Sequence, residues 1–184
     1  MTELATLADQ IGVSERTLRR AFNEGTLRAE RPTPRKLTLG SEEKRYLRRS
    51  WKLLATLRQV LRTEPNVRFA LLFGSAARGD DHKGSDMDLI VEMRDSSPVR
   101  VIDLELKLEG LLGRRVDVLT LEDAGANPVL LAEAVAEGRT IVDREERWAQ
   151  LGSEAEAMES RARRYLHGRS RNALAGINRL FTEA

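Results

Sequence analysis

The alternation of apolar and polar positions divides the chain into four stretches. In residues 1–40, Leu4, Leu7, Ala8 and Ile11 recur at helical spacing and share one face. Gly12 ends that helix cheaply, and Ser14 is placed as the N-cap of a second one, with Leu18 and Ala21 or Phe22 turned inward. Two prolines forbid a continuous helix over TLRAERPTPRKLTLG, so KLTL reads as extended. Residues 41–65 predict one long connector helix, capped by Ser41, with Glu42 and Glu43 at the positive end of its dipole. Leu47, Trp51, Leu54, Leu57 and Leu61 form its apolar stripe, and Glu64-Pro65 ends it. Trp51, on that stripe, reads as core rather than as a platform for a base.

Over residues 66–143 the period changes. VRFALLF (67–73), bounded by Pro65-Asn66 and Gly74, has the form of a buried strand, and GSAARG follows it as the opening of a helix. SDMDLIVEM (85–93) sets Asp86, Asp88 and Ile90 against Met87, Leu89 and Val91. GRRVDVLTL (113–121) puts Val116, Val118 and Thr120 on one face and Asp117 with Leu119 on the other. Between these strands, residues 98–112 predict an amphipathic helix that packs through Val101, Leu104, Leu108, Leu111 and Leu112. Residues 144–184 are helical in pattern, with Trp148, Leu151, Met158, Tyr165, Leu166, Leu174, Ile177 and Leu180 apolar and a break at Gly152-Ser153. They are expected to cover the core or to form a homodimer interface, and RRYLHGRSRN within them reads as solvated surface.

Composition narrows the setting. The chain has 184 residues, 41% of them hydrophobic and 33% charged, which supports a real core under a polar surface. It has no cysteine, which excludes disulfides and thiolate metal sites and fits a cytoplasmic location. No signal-peptide pattern and no run of apolar residues long enough for a membrane helix is present, so no membrane association is expected. The net charge of +2 hides an asymmetry: residues 1–60 carry 13 basic against 7 acidic side chains, and the remainder 18 against 22. A basic module preceding a domain of different purpose has that charge pattern.

Candidate chemistry falls in two places. The second short helix carries Arg16, Thr17, Arg19 and Arg20, and the following segment Arg31, Arg35 and Lys36; these side chains suit phosphates and guanine edges. ADQIGVSERTLRRAFNEGTLRA is similar to winged and MerR-like helix-turn-helix domains, whose β-wing would fall in the extended segment. The resemblance implies DNA contact through Arg16, Thr17, Arg19, Arg20, Arg35 and Lys36; a helical hairpin that packs on the larger domain or on a protein partner remains the alternative.

The second place is FGSAARGDDHKGSDMDL. A glycine lets a ligand approach the backbone, and a helix start points free N–H groups at anions, so Gly74 and Ser75 form a candidate phosphate cradle with Arg78 one turn along. Asp86 and Asp88, roughly 6.6 Å apart along a strand, repel one another, and a divalent cation between them removes the conflict. Asp117, centred in an apolar strand, is costly unless paired or bound to metal. If its strand neighbours that of Asp88, three carboxylates converge, two metal ions can clamp a phosphoryl transfer, and Asp117 can serve as general base. His82, in the polar loop 79–84, reads as solvated, with a contact to the leaving pyrophosphate as the alternative.

Gly74-Ser75, ten residues, then Asp86-Met87-Asp88 resembles the signature of the DNA polymerase β-like nucleotidyltransferases, and LLFGSAARGDDHKGSDMDLIVE resembles their minimal (MNT) branch. GRRVDVLTL is similar to the strand of the third carboxylate in that family, and NPVLLAEAVAEGRTIVD to its closing helix and strand. The resemblance spans residues 66–143. It implies an α/β (α+β) domain with a mixed sheet, Mg²⁺ (two ions) and a nucleoside triphosphate, with ATP expected. Gly74 and Ser75 would bind the triphosphate, and Asp86, Asp88 and Asp117 the metals. It further implies AMP transfer to a protein or RNA hydroxyl, as in antitoxins that adenylylate a HEPN-type toxin. The expected layout is a winged helix-turn-helix over 1–40, a connector helix over 41–65, the nucleotidyltransferase domain over 66–143 and a helical tail over 144–184. A DNA-binding regulator whose nucleotidyltransferase domain only senses nucleotide, or holds a protein partner, is the competing expectation.

Overall fold

A computed structural model describes residues 2–182 apart from Arg35 and Lys83, with side chains up to residue 170. Arg35, and the tail positions Leu174, Ile177 and Leu180 as side chains, therefore lie outside the described residues. The chain opens with α1 (Glu3–Gln10), capped by the Thr2 hydroxyl, and α2 (Glu15–Asn23), where the Ser14 hydroxyl accepts from the Thr17 N–H as its sequence position predicts. Leu4, Leu7, Ala8, Leu18 and Ala21 are buried between the two helices and the elements beneath them, while Phe22 is only partly covered. A short antiparallel ribbon follows, β1 (Glu30–Thr33) paired with β2 (Lys36–Thr38).

The long helix α3 (Ser41–Arg62) is capped by Gly40 rather than Ser41. Ser41 stands inside the first turn, and its side chain makes no cap bond. Leu47, Leu54, Leu57 and Leu61 are buried on this helix as its stripe requires, and Trp51 sits half-covered at the edge of that stripe.

Four strands build the main sheet: β3 (Val67–Phe73), β4 (Met87–Met93), β5 (Val116–Thr120) and β6 (Arg139–Asp143), in the order β5-β4-β3-β6. β3 runs antiparallel to both β4 and β6, and β4 parallel to β5, so the sheet is mixed. The parallel pair requires a crossover, supplied by α5 (Pro98–Leu112). Leu104 and Leu108 bury that helix; Leu111, expected to pack, is instead 56% exposed because it falls at the rim of the buried stripe. α4 (Gly74–Arg78) directly follows β3, and after α5 come α6 (Leu121–Ala126), α7 (Pro128–Glu137), α8 (Arg147–Ser153) and α9 (Ala155–Thr182).

Strand periodicity sorts the side chains between two cores. Met87, Leu89, Val91 and Val116 join the N-terminal helices and α3 on one face. Phe69, Leu71 and Ile90 join α6, α7, α8 and α9 on the other. The first core runs without a break from Leu4 to Val142, so the N-terminal module and the sheet share one apolar interior. At the turn after α2, Gly25 has φ +76 and its carbonyl accepts from the Thr140 N–H of β6. The indole of Trp148 fills the space a Cβ there would need.

Candidate active site

The carboxylates collect where β3 ends and β4 and β5 begin. Phe73 pairs with Asp88 across β3–β4, and Asp88 stands level with Asp117 across the parallel β4–β5 pair. Asp88 and Asp117 lie on the face that also carries Ile90 and Leu119, because side chains two apart along a strand point the same way. Asp86 immediately precedes β4. Gly74, at φ +67, is the first residue past β3, and a Cβ there would collide with the Asp88 carboxylate. Gly74 and the second aspartate of the signature thus stand against one another, across the loop that separates them in sequence.

Burial is the main influence that pushes the Asp88 carboxyl above its ordinary value, followed by the negative charges of Asp117 and Asp86; Arg114 and Arg78 oppose the shift. Asp117 is more open than its apolar strand suggested, with its side chain 55% exposed. β5 is an edge strand, so the cost expected for a buried carboxylate does not arise there. The exposed Arg115 guanidinium lies 3.9 Å from both Asp86 and Asp117. Among the described residues, no three His, Cys, Asp or Glu side chains close into a ready metal cage. The donor set nevertheless fits Mg²⁺, a hard cation that takes one or two carboxylates and completes its shell with water and phosphate oxygens.

The loop between the two halves of the signature is tied down from outside it. Arg114, at the foot of β5, donates to the Ser85 carbonyl at 2.6 Å and the Asp86 carbonyl at 3.1 Å, and pairs with Asp81 at 3.1 Å. Arg49 of α3 also pairs with Asp81. His82 is exposed, and its backbone N–H donates to the Ser85 hydroxyl at 3.0 Å. Arg114 was not among the expected site residues. The available signal was the Arg-Arg pair preceding the Asp117 strand.

Arg78 bonds Asp80 and Glu137, each at 3.2 Å, and these two partners raise its pKa. It borders a cavity of about 330 Å³ between α4 and α7 that opens beside Gly74. Behind α4 lies a group that the sequence did not disclose. Arg139 is 2% exposed and holds Glu43 through two bonds of 2.7 and 2.8 Å. Its Nε donates to the Ala77 carbonyl of α4 at 2.7 Å, its Nη1 reaches the Thr26 carbonyl at 3.3 Å, and its guanidinium lies 3.5 Å from the Tyr46 ring centre. Burial raises the Tyr46 phenol pKa, and the protonated hydroxyl donates to the Ala76 carbonyl. One buried cation therefore joins the N-terminal module, α3 and the short helix of the Gly-Ser motif.

The residues expected to face DNA are distributed over two surfaces. Arg16, Thr17 and Arg20 line a cleft against α3, and Arg19 pairs with Glu15 at 3.6 Å. Lys36 is exposed on β2, outside that cleft.

Comparison with known proteins agrees with this geometry. The family described as "Polymerase beta, Nucleotidyltransferase" matches residues 55–147, just over half the chain. The chain is 38% identical over 68 residues to the protein adenylyltransferase MntA of Thermococcus cleftensis, a match that covers 36% of this chain and 69% of that protein. Among solved structures it resembles a toxin–antitoxin complex with AMP-PNP, with TM-score 0.55 and 22% identity over 66% of this chain and 98% of the other. It also resembles the structure of a tri-AMPylated Shewanella oneidensis HEPN toxin in complex with MNT antitoxin, with TM-score 0.53 and 19% identity over 68% and 98% of the two chains. At those identities the structural likeness speaks to the fold.

Proposed function

Because the chain belongs to the polymerase beta nucleotidyltransferase family, we propose that it moves AMP from ATP to a hydroxyl group on a protein partner, as one half of a toxin–antitoxin pair. The observation that carries this reading is the Asp88–Asp117 rung with Gly74 against it, which sets two carboxylates beside a glycine turn, with Asp86 just before the same strand. The relative named a protein adenylyltransferase and the complex containing an AMPylated HEPN toxin support the choice of AMP and of a protein acceptor.

In the proposed reaction, Gly74 and Ser75 receive the triphosphate and Arg78 lies at the edge of its site. Asp86 and Asp88 would hold a divalent cation, with Asp117 beside a second. Such a cation, when bound, neutralises charge on the triphosphate and on the departing pyrophosphate. Asp117, the most open of the three, is placed to accept the proton of the acceptor hydroxyl. The acceptor oxygen bonds to the α-phosphorus as the bond to the bridging oxygen breaks, and pyrophosphate leaves. In the same reading, Arg16, Thr17, Arg19, Arg20 and Lys36 contact DNA, supported by the two capped helices and the ribbon that follows them.

Incubation with labelled ATP, Mg²⁺ and a purified HEPN-type toxin is expected to label that toxin. Label equal to that of Asp86→Ala, with nucleotide binding retained, would instead assign a nucleotide-sensing role. DNA contact is tested by binding to the upstream sequence across salt concentrations. Replacing Arg16 and Arg20 with alanine should flatten the salt slope by about one to two. An unchanged slope would favour the protein-contact hairpin.

A further inference from the structure

Helical periodicity that buries one face of α3 sends a second stripe, Trp51, Ala55, Arg58, Gln59 and Arg62, toward α2. Across from it, Arg16 and Arg20 of α2 stand on one face of their helix. Between the two helices is a cleft of about 560 Å³, a volume ordinary for small-molecule sites. Its floor is apolar, formed by Val13, Trp51 and Leu54, and arginines gather along its walls.

The charge in this cleft is unbalanced. Glu24 is shared by three arginines: Arg20 at 2.6 Å, Arg58 at 3.2 Å and Arg62 at 3.9 Å. Arg16, the fourth, makes no ion pair among the described residues. Arg58 is held in place, only 15% exposed, donating to the Ile141 carbonyl at 3.1 Å and to the Thr26 hydroxyl. Burial lowers the Arg58 pKa, with Glu24 opposing the shift and Arg62 and Arg20 adding to it.

We propose that this cleft is a second ligand site, separate from the carboxylates, that binds a nucleoside phosphate: the base against Trp51 and the phosphates among Arg16, Arg20 and Arg62. Guanidinium groups match phosphate oxygens in geometry as well as charge, and an indole wall accepts any base through its π-face. The apolar floor is what separates this ligand from a nucleic-acid backbone, which needs only the cations. No residue of the cleft belongs to the carboxylate site. An occupant would lie against Arg16 and Arg20, so on the DNA reading given above it would compete with DNA.

The test uses the full chain carrying Asp86→Ala and Asp88→Ala, in EDTA, so that triphosphate binding at the carboxylate site is suppressed. Titration with AMP and with ATP by calorimetry should show one saturable site. Arg62→Ala should weaken it at least tenfold, and Ala55→Glu, at an exposed position on the cleft wall, should abolish it while leaving the core intact. Adenosine alone and pyrophosphate alone should each bind more weakly than the nucleotide. The proposal is overturned by the absence of saturation at millimolar nucleotide, or by binding that neither variant changes. It is also overturned if duplex DNA, and no nucleotide, binds in a manner sensitive to both variants, which would make the cleft a nucleic-acid surface. Label transfer by the unmutated site is a separate readout, so failure here leaves the transferase reading standing, and the converse also holds.

Discussion

Two clusters of charge flank α4, and they are built in opposite ways. Behind the helix, Arg139 and Glu43 are buried and held by two bonds to each other, with Ala77, Thr26 and Tyr46 around the guanidinium. In front of it, Asp86, Asp88 and Asp117 share one sign, and the nearest cation, Arg115, is exposed and 3.9 Å from two of them. The buried pair is matched by an opposite charge, whereas the carboxylates repel one another. Charge that is satisfied internally fixes the position of α4, and charge left unsatisfied is available for chemistry. A short helix between the two inherits the rigidity of one side and serves the reactivity of the other.

The contrast can be broken from either side. The largest expected effect is on turnover: Asp88→Ala should lower AMP transfer at least a thousandfold, about 4 kcal/mol in the barrier, with the circular dichroism spectrum unchanged. Next, Glu43→Gln leaves the Arg139 guanidinium buried without its counter-charge and should cost about 3–5 kcal/mol of stability, read by urea denaturation. A loss under 1 kcal/mol would show that the buried pair is not what holds α4. Gly74→Ala joins the two sides, since the new methyl group meets the Asp88 carboxylate in a left-handed conformation. Backbone strain of about 1–2 kcal/mol should accompany a loss of transfer larger than that strain accounts for.

The smallest effect sharpens the electrostatic half. Asp88 binds its proton more tightly folded than unfolded, chiefly through burial and then through Asp117 and Asp86. Its contribution to stability is therefore full below the unfolded carboxyl value and is lost as pH rises through the raised folded value. Without divalent cation, the melting temperature should decline slightly over that window, and Asp88→Asn should remove the decline. Added Mg²⁺ should restore stability at neutral pH in the unmutated chain and less so in the variant. An identical response in both proteins would place the cation elsewhere.

The front cluster was legible in the sequence and the rear one was not. Asp88 and Asp117 sit in segments whose alternation is clean, so strand identity and facing direction follow from a period of two, whereas the pairing of their strands shows only in the fold and Asp86 falls just before β4. Arg139 opens a strand reading RTIVD, where an arginine at an element end ordinarily reads as solvated. Its partner lies 96 positions away, and no local pattern links them. The same reason hid Arg114, whose role is to bond the carbonyls of a loop that precedes it by nearly thirty residues. Trp51 packs on the core as its stripe predicts, and from the edge of that stripe it also faces the cleft beside it. Ser41 lost the cap to Gly40 by one position, an error of boundary rather than of element.

The level pairing of Asp88 with Asp117 also bears on quality control during folding. A slip of β5 by one residue would turn Asp117 into the apolar interior and expel Val116 and Val118 from it. A chain that misplaces its third acid therefore forfeits the packing that would keep it folded, and well-folded but inactive molecules should be scarce. For this enzyme, an active-site titration should double as a count of native molecules.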